Sequence, residues 1–224
     1  MAKILNGPSI SKHNNPNKLI FMLHGYGDNA VNFINLAHTI DQEEWQAQYI
    51  ALNAPNFIEG NFTGYQWFDL YPNGIYIADA GQKEFQQIQK EINDAVNNII
   101  NTIEYYCDTL NLKIEDCILM GFSQGGMMTF EVGNFFNKKL AGLAILSGRI
   151  MNNQPIENTN LQQTPIFISH GEKDAVIPLS NFFDAKEFLN TNNCNFESHI
   201  IVQDEHNISP ETITLLQNFI KKII

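Results

Sequence analysis

Gly121-Phe122-Ser123-Gln124-Gly125 stands between an apolar run, Asp116-Cys117-Ile118-Leu119-Met120, and a helical pattern beginning at Gly126-Met127-Met128-Thr129. Strand, sharp turn and helix in that order constrain the fold more than anything else in the chain. A serine at such a turn is held in a strained backbone conformation with its Oγ exposed, and small residues two positions before and after it avoid collision across the bend. The helix that follows directs its first N–H groups at the same point, where they can meet a developing negative charge. Taken alone the pentapeptide could be a glycine-rich turn closing a strand. Its flanks decide for a nucleophile.

A nucleophilic serine needs a base, and the base needs a group that orients it. Thr164-Pro165-Ile166-Phe167-Ile168-Ser169 reads as a strand running into His170-Gly171-Glu172-Lys173-Asp174. Phe196-Glu197-Ser198-His199-Ile200-Ile201-Val202 is a further strand, followed by Gln203-Asp204-Glu205-His206. Asp174 and His206 therefore follow strand ends, and in a parallel sheet those ends share one rim with the serine turn. His24 and His170 each precede a glycine at a strand terminus and read as backbone-bonded structural histidines. His199 lies inside a strand pattern, while His13 and His38 have no chemical company. Asp204 would share a loop with His206 and leave Asp174 without a role, and Asp184 falls on the solvated side of a helix expected from Ser180 to Asn192. The reading is Ser123 as nucleophile, His206 as base and Asp174 as its partner.

Together with the late histidine, Leu23-His24-Gly25-Tyr26-Gly27-Asp28, Gly121-Phe122-Ser123-Gln124-Gly125-Gly126 and His170-Gly171-Glu172-Lys173-Asp174 resemble the small carboxylesterase/phospholipase family of α/β-hydrolases, which includes acyl-protein thioesterases and lysophospholipase-like esterases. The resemblance runs from about Leu19 to the C-terminus. Asn53-Ala54-Pro55 and Trp67-Phe68-Asp69 resemble the family's segment that leads over the active site. The resemblance implies an α/β-hydrolase fold and cleavage of carboxylic esters or thioesters through an acyl-enzyme on Ser123. It further implies an oxyanion hole from the backbone N–H groups of Leu23 and Gln124, and Trp67 as a pocket-lining residue. One departure is Glu205, where the family often has glycine before its histidine.

Composition agrees. A chain of 224 residues, 44% of them hydrophobic, can bury one full core, so a single domain over residues 1–224 is expected. Strand runs alternating with helical patterns imply a mostly parallel central sheet covered by helices on both faces, with no large lid domain. The pattern from Glu84 to Tyr106 places Phe85, Ile88, Ile92, Ala95, Val96, Ile99, Ile100 and Ile103 at helical spacing, a core-packing stripe. Pro210 to Lys222 reads as a closing helix. No apolar run reaches membrane-spanning length and the N-terminus lacks a signal peptide's apolar core, so a cytoplasmic protein is expected. Cys107, Cys117 and Cys194 are scattered and read as reduced structural residues. A net charge of −11 argues against nucleic-acid binding and against simple attraction to anionic membranes. Without a His-Glu-x-x-His or a phosphate-binding loop, neither a metal nor an organic cofactor is expected.

Asn56 to Ile77 concentrates Phe57, Ile58, Phe62, Tyr65, Trp67, Phe68, Leu70, Tyr71, Ile75 and Tyr76 among glycines and prolines. Part of it must pack on the sheet. The rest reads as a flap, with Leu70 to Ile77 expected to be mobile and to admit lipid-like substrates. The substrate classes left open are a small ester, a lysophospholipid and an acylated protein. The flap would also be the place for a transient membrane contact or a homodimer. From a different class, a catalytically inactive scaffold binding an acyl ligand or a partner protein is the competing reading. Retention of all three candidate residues weighs against it.

Overall fold

Successive side chains of a strand point to opposite faces, so a strand covered on both sides needs two apolar sets. The strands of this chain have them. In the computed structural model, which describes residues 3–58, 60, 63–77, 81–151 and 154–224, strand β2 (Lys18–Leu23) sends Leu19, Phe21 and Leu23 into one buried cluster and Ile20 and Met22 into another. Strand β6 (Cys117–Phe122) divides Cys117 and Leu119 from Ile118 and Met120 in the same way.

Among the described residues the main sheet has seven strands. Its order is β1 (Ser9–Ser11), β3 (Ala47–Leu52), β2, β6, β7 (Gly142–Leu146), β8 (Ile166–Gly171) and β9 (Phe196–Ile201). All neighbours are parallel except the edge strand β1, which runs antiparallel to β3 through Ile10↔Tyr49. Register aligns Leu23 with Leu52 and Gly121, and Phe122 with Leu146. The C-terminal ends of these strands therefore form a common rim.

One face is covered by α3 (Gln82–Leu110), α4 (Gln124–Phe135) and α6 (Ser180–Thr191). The other is covered by the short helices α1 (Ala30–Phe33) and α2 (Ala37–Ile40) and by α7 (Pro210–Ile223). Helix α5 (Thr159–Gln163) precedes β8. Along α3, Ile88, Ile92, Ala95, Val96, Ile99 and Ile103 face the sheet at three- and four-residue spacing. The helix runs past its expected end at Tyr106 because one more buried position, Cys107, follows, and Asn111 in the left-handed conformation (φ 54°) closes it. Helix α7 begins with Pro210 in its first turn, and the Ser209 side chain accepts from the Thr212 N–H.

The link from β3 to α3 carries a two-stranded hairpin, β4 (Asn56–Phe57) with β5 (Tyr65–Gln66), and a single turn at Pro72–Gly74. Phe62 lies outside the described residues. Among the described residues no helix is long and apolar enough to cross a membrane.

Candidate active site

Ser123 sits between the end of β6 and the start of α4 at φ 54°, ψ −118°, a backbone region that costs a residue with a Cβ roughly 1–3 kcal/mol. The surrounding packing holds it there. Its N–H donates to the Leu146 carbonyl at 2.9 Å. A Cβ on Gly121 would overlap the carbonyl of Gly125, and one on Gly125 would overlap the carbonyl of Leu23. The pentapeptide's glycines are thus demanded by close backbone approach on both sides of the bend.

From Ser123 a hydrogen-bonded chain runs through His206 to Asp174. His206 Nε2 lies 2.9 Å from Ser123 Oγ, and His206 Nδ1 lies 2.6 Å from Asp174 Oδ2. An ionised carboxylate only accepts, so Nδ1 carries the proton and Nε2 is left to accept from the serine hydroxyl. The other carboxylate oxygen, Oδ1, accepts the N–H groups of Val176 and Ile177 at 2.9 and 2.8 Å. These bonds fix the carboxylate, whose side chain is fully buried. His206 also packs against Phe122, with ring centroids 4.8 Å apart.

The loop carrying His206 is anchored to the loop carrying Asp174. Glu172 N–H donates to Ile201 O, Lys173 N–H to Asp204 O, and Gln203 N–H to the Glu172 carboxylate. Among the described residues Asp204 makes no hydrogen bond or ion pair with His206; its Oδ1 accepts from the Glu205 N–H. The Glu205 side chain is exposed.

The rival histidines have structural partners. His24 is buried, with Nδ1 2.7 Å from the Gly25 carbonyl and Nε2 accepting the Ala54 N–H at 3.1 Å. Burial pushes its pKa down and keeps the ring neutral. His170 Nε2 lies 2.8 Å from the Ile177 carbonyl, bracing the Asp174 loop. His199 stacks on Phe167.

Two expected site residues are placed elsewhere. Leu23 is the last residue of β2, fully buried, in register with strands on both sides. A strand N–H lies in the plane of the sheet, toward a neighbouring strand, and Leu23 does not line the cavity at Ser123. The residue that does is Tyr26. A Cβ on Gly25 would stand 3.4 Å from Ser123 Cβ, so the Gly25–Tyr26 peptide passes directly beside the serine. Among the described residues neither the Tyr26 nor the Gln124 main-chain N–H has an acceptor. The signal for Tyr26 was its place after the glycine of His24-Gly25, where the chain has left the strand.

Trp67, expected in the pocket, is wholly buried behind it. Its indole N–H donates to the His24 carbonyl and its main-chain N–H to Gln124 Oε1, both at 2.9 Å. Gln124 Nε2 in turn donates to the Phe68 carbonyl at 2.7 Å. Trp67 therefore ties together the two loops on either side of Ser123.

Two cavities meet at the serine. One, of about 460 Å³, contains His206 and Phe122 with Tyr26, Asp28 and Tyr71. The other, of about 60 Å³, contains Gln124, Met127, Arg149, Ile177 and Asn181. Leu70, Tyr76, Ser123 and Val176 border both. Burial raises the Tyr26 phenol pKa, with Tyr71 and Asp69 adding to it, so the hydroxyl stays a proton donor. Among the described residues no group of three or more His, Cys, Asp or Glu could hold a metal ion.

Comparison with known proteins agrees with this architecture. The family model for phospholipase/carboxylesterase matches residues 7–224. Acyl-protein thioesterase 1 of Emericella nidulans is 28% identical over 97% of this chain and 93% of its own length. The Saccharomyces cerevisiae protein of the same name is 27% identical over 97% and 98%. Among solved structures, esterase PE8 superposes with a TM-score of 0.82 at 24% identity, covering 99% of this chain and 100% of its own. Zea mays acyl-protein thioesterase 2 gives 0.75 at 17%, covering 97% and 99%. The chain belongs to the phospholipase/carboxylesterase family of α/β-hydrolases and is a carboxylic-ester hydrolase.

Proposed function

We propose that Ser123, His206 and Asp174 are the catalytic triad of a two-step acyl transfer from an ester or thioester to water. The observation that carries this reading is the hydrogen-bonded chain from Asp174 Oδ2 through His206 to Ser123 Oγ, at a serine held with positive φ. His206 removes the hydroxyl proton as Oγ attacks the carbonyl carbon. Asp174 holds the ring in the required tautomer and stabilises the imidazolium. The oxyanion is held by the main-chain N–H of Gln124, at the start of α4, and by that of Tyr26, which replaces Leu23. His206 then protonates the departing alcohol or thiol, and water activated by the same histidine releases the acid.

The leaving group must lie on the His206 side, because that ring delivers its proton. This assigns the larger cavity to the alcohol or thiol and the narrower one to the acyl group. Exposed apolar residues at the mouth, Tyr71, Tyr76 and Val176, support substrates whose apolar parts extend past the rim, lysophospholipids and acylated proteins among them. The same rim is where a transient membrane contact or a homodimer would form. One sheet with an apolar cluster on each face supports a single catalytic domain over the whole chain, and three free cysteines support a cytoplasmic setting.

The test is hydrolysis of p-nitrophenyl esters from acetate to palmitate by the wild type and by Ser123→Ala, with fluorophosphonate labelling of both. Turnover and labelling in the wild type alone support the reading. Equal turnover by the two proteins refutes it.

A further inference from the structure

Arg149 is the single arginine in a chain of net charge −11 with 24 acidic residues. It follows β7 on the active-site rim and lines the narrow cavity that begins at Ser123. Beyond it lies a second space of about 340 Å³, which shares Arg149, Ile77 and Asn181 with the narrow cavity. Arg149 is half-buried, and its Nε donates to Met151 Sδ at 3.3 Å. Among the described residues no carboxylate lies within ion-pair distance of it, and its two terminal NH₂ groups have no protein acceptor. In so acidic a protein, this one arginine lies in the passage leading from the serine with no carboxylate partner among the described residues. A guanidinium presents a rigid planar fork that matches a carboxylate through two parallel hydrogen bonds.

We propose that Arg149 is a specificity residue that receives a carboxylate at the far end of the acyl chain, so that monoesters of dicarboxylic acids are favoured substrates. This rests on the assignment of the narrow cavity to the acyl group. The ester carbonyl sits at Ser123, the methylene chain passes Met127 and Ile177, and the distal carboxylate meets Arg149. Asp184, exposed on α6, borders the outer space past Arg149 and repels a carboxylate that overshoots. For a half-ester the acyl chain therefore has an upper as well as a lower length limit. The chemistry is ordinary ester hydrolysis: the carbonyl carbon exchanges its bond to the alcohol oxygen for one to Oγ and then for one to water oxygen. The alcohol leaves with a proton, and the product is a dicarboxylate.

The experiment compares kcat/KM on monomethyl adipate and on methyl hexanoate, which differ in the distal carboxylate, for the wild type, Arg149→Gln and Arg149→Lys. The wild type is expected to prefer the half-ester. Arg149→Gln is expected to lower that preference ratio on the order of 10- to 100-fold, chiefly through KM, the range of a charge-assisted bond lost from a partly enclosed site. Arg149→Lys recovers part of the ratio, because charge is restored without the fork. In parallel, calorimetric binding of monomethyl adipate is measured on Ser123→Ala and on Ser123→Ala/Arg149→Gln. Binding that disappears with the arginine supports the proposal whether or not the wild type turns the ester over, which separates it from the triad assignment. A ratio near one in the wild type, or an unchanged ratio and unchanged binding in Arg149→Gln, overturns it.

Discussion

Gly171 and Glu205 touch backbone to backbone, and a Cβ on the glycine would overlap the glutamate's carbonyl oxygen. One residue further on is His206, so the space beside Gly171 sets the position of the imidazole. Gly171→Ala is expected to push the His206 loop outward and lower kcat by about 10²-fold or more, since a displacement near 1 Å suffices for that loss. Steady-state kinetics and the rate of fluorophosphonate labelling should fall together.

The Glu205 side chain points into solvent, away from that contact. Glu205→Gln should therefore leave kcat/KM within about threefold of wild type, the scale of a surface substitution. A larger drop would mean that the carboxylate acts on His206 through space.

Ser123→Ala should lower kcat on the order of 10⁶-fold, as loss of a triad member does elsewhere, and Asp174→Asn on the order of 10⁴-fold through the wrong tautomer of His206. Turnover of p-nitrophenyl butyrate reads both. A loss below tenfold for Ser123→Ala would refute the assignment.

Gln124→Ala strands the Trp67 N–H and the Phe68 carbonyl, which the amide side chain serves at once. Two buried groups left without partners at about 1–3 kcal/mol each predict a clear drop in denaturation midpoint. Because Trp67 also ties to the His24 carbonyl, activity should fall beyond what the stability change explains.

Buried and neutral, His24 has a pKa below its unfolded value. The unfolded chain then binds more protons as the solution is acidified. The His24 contribution to stability is present above the unfolded value of about 6.5 and is lost as pH falls from there toward the lowered folded value. Thermal unfolding between pH 7.5 and 5.5 should show a decline that is shallower in His24→Gln, whose amide can still accept from Ala54.

The serine turn, its histidine and its acid were legible because each follows a strand whose apolar pattern marks its end, and a parallel sheet brings such ends together. The resemblance implies Leu23 as an oxyanion donor, but Leu23 ends its strand in register with both neighbours, and a strand pattern does not show how many residues pass before the chain curls over the serine. Here that takes three residues, which brings the chain to Tyr26, the proposed donor. Trp67 is expected in the pocket only through the resemblance. Only the acceptors for its two N–H groups, on His24 and Gln124, explain why it turns inward. Strands β1, β4 and β5 span two or three residues, too few for a periodic signal. Arg149 carries no motif at all; its isolation from carboxylates exists only in three dimensions.

Leu70, Tyr76 and Val176 form the partition between the two cavities, so on the proposed assignment a substitution at any of these three positions shifts the preferences for acyl chain and leaving group together. A mutation that widens one room narrows or opens the other. A lineage drifting through these three positions would change both halves of the substrate in a single step, whereas one drifting through Arg149 or Tyr71, each of which borders one of the two cavities, would change one half alone.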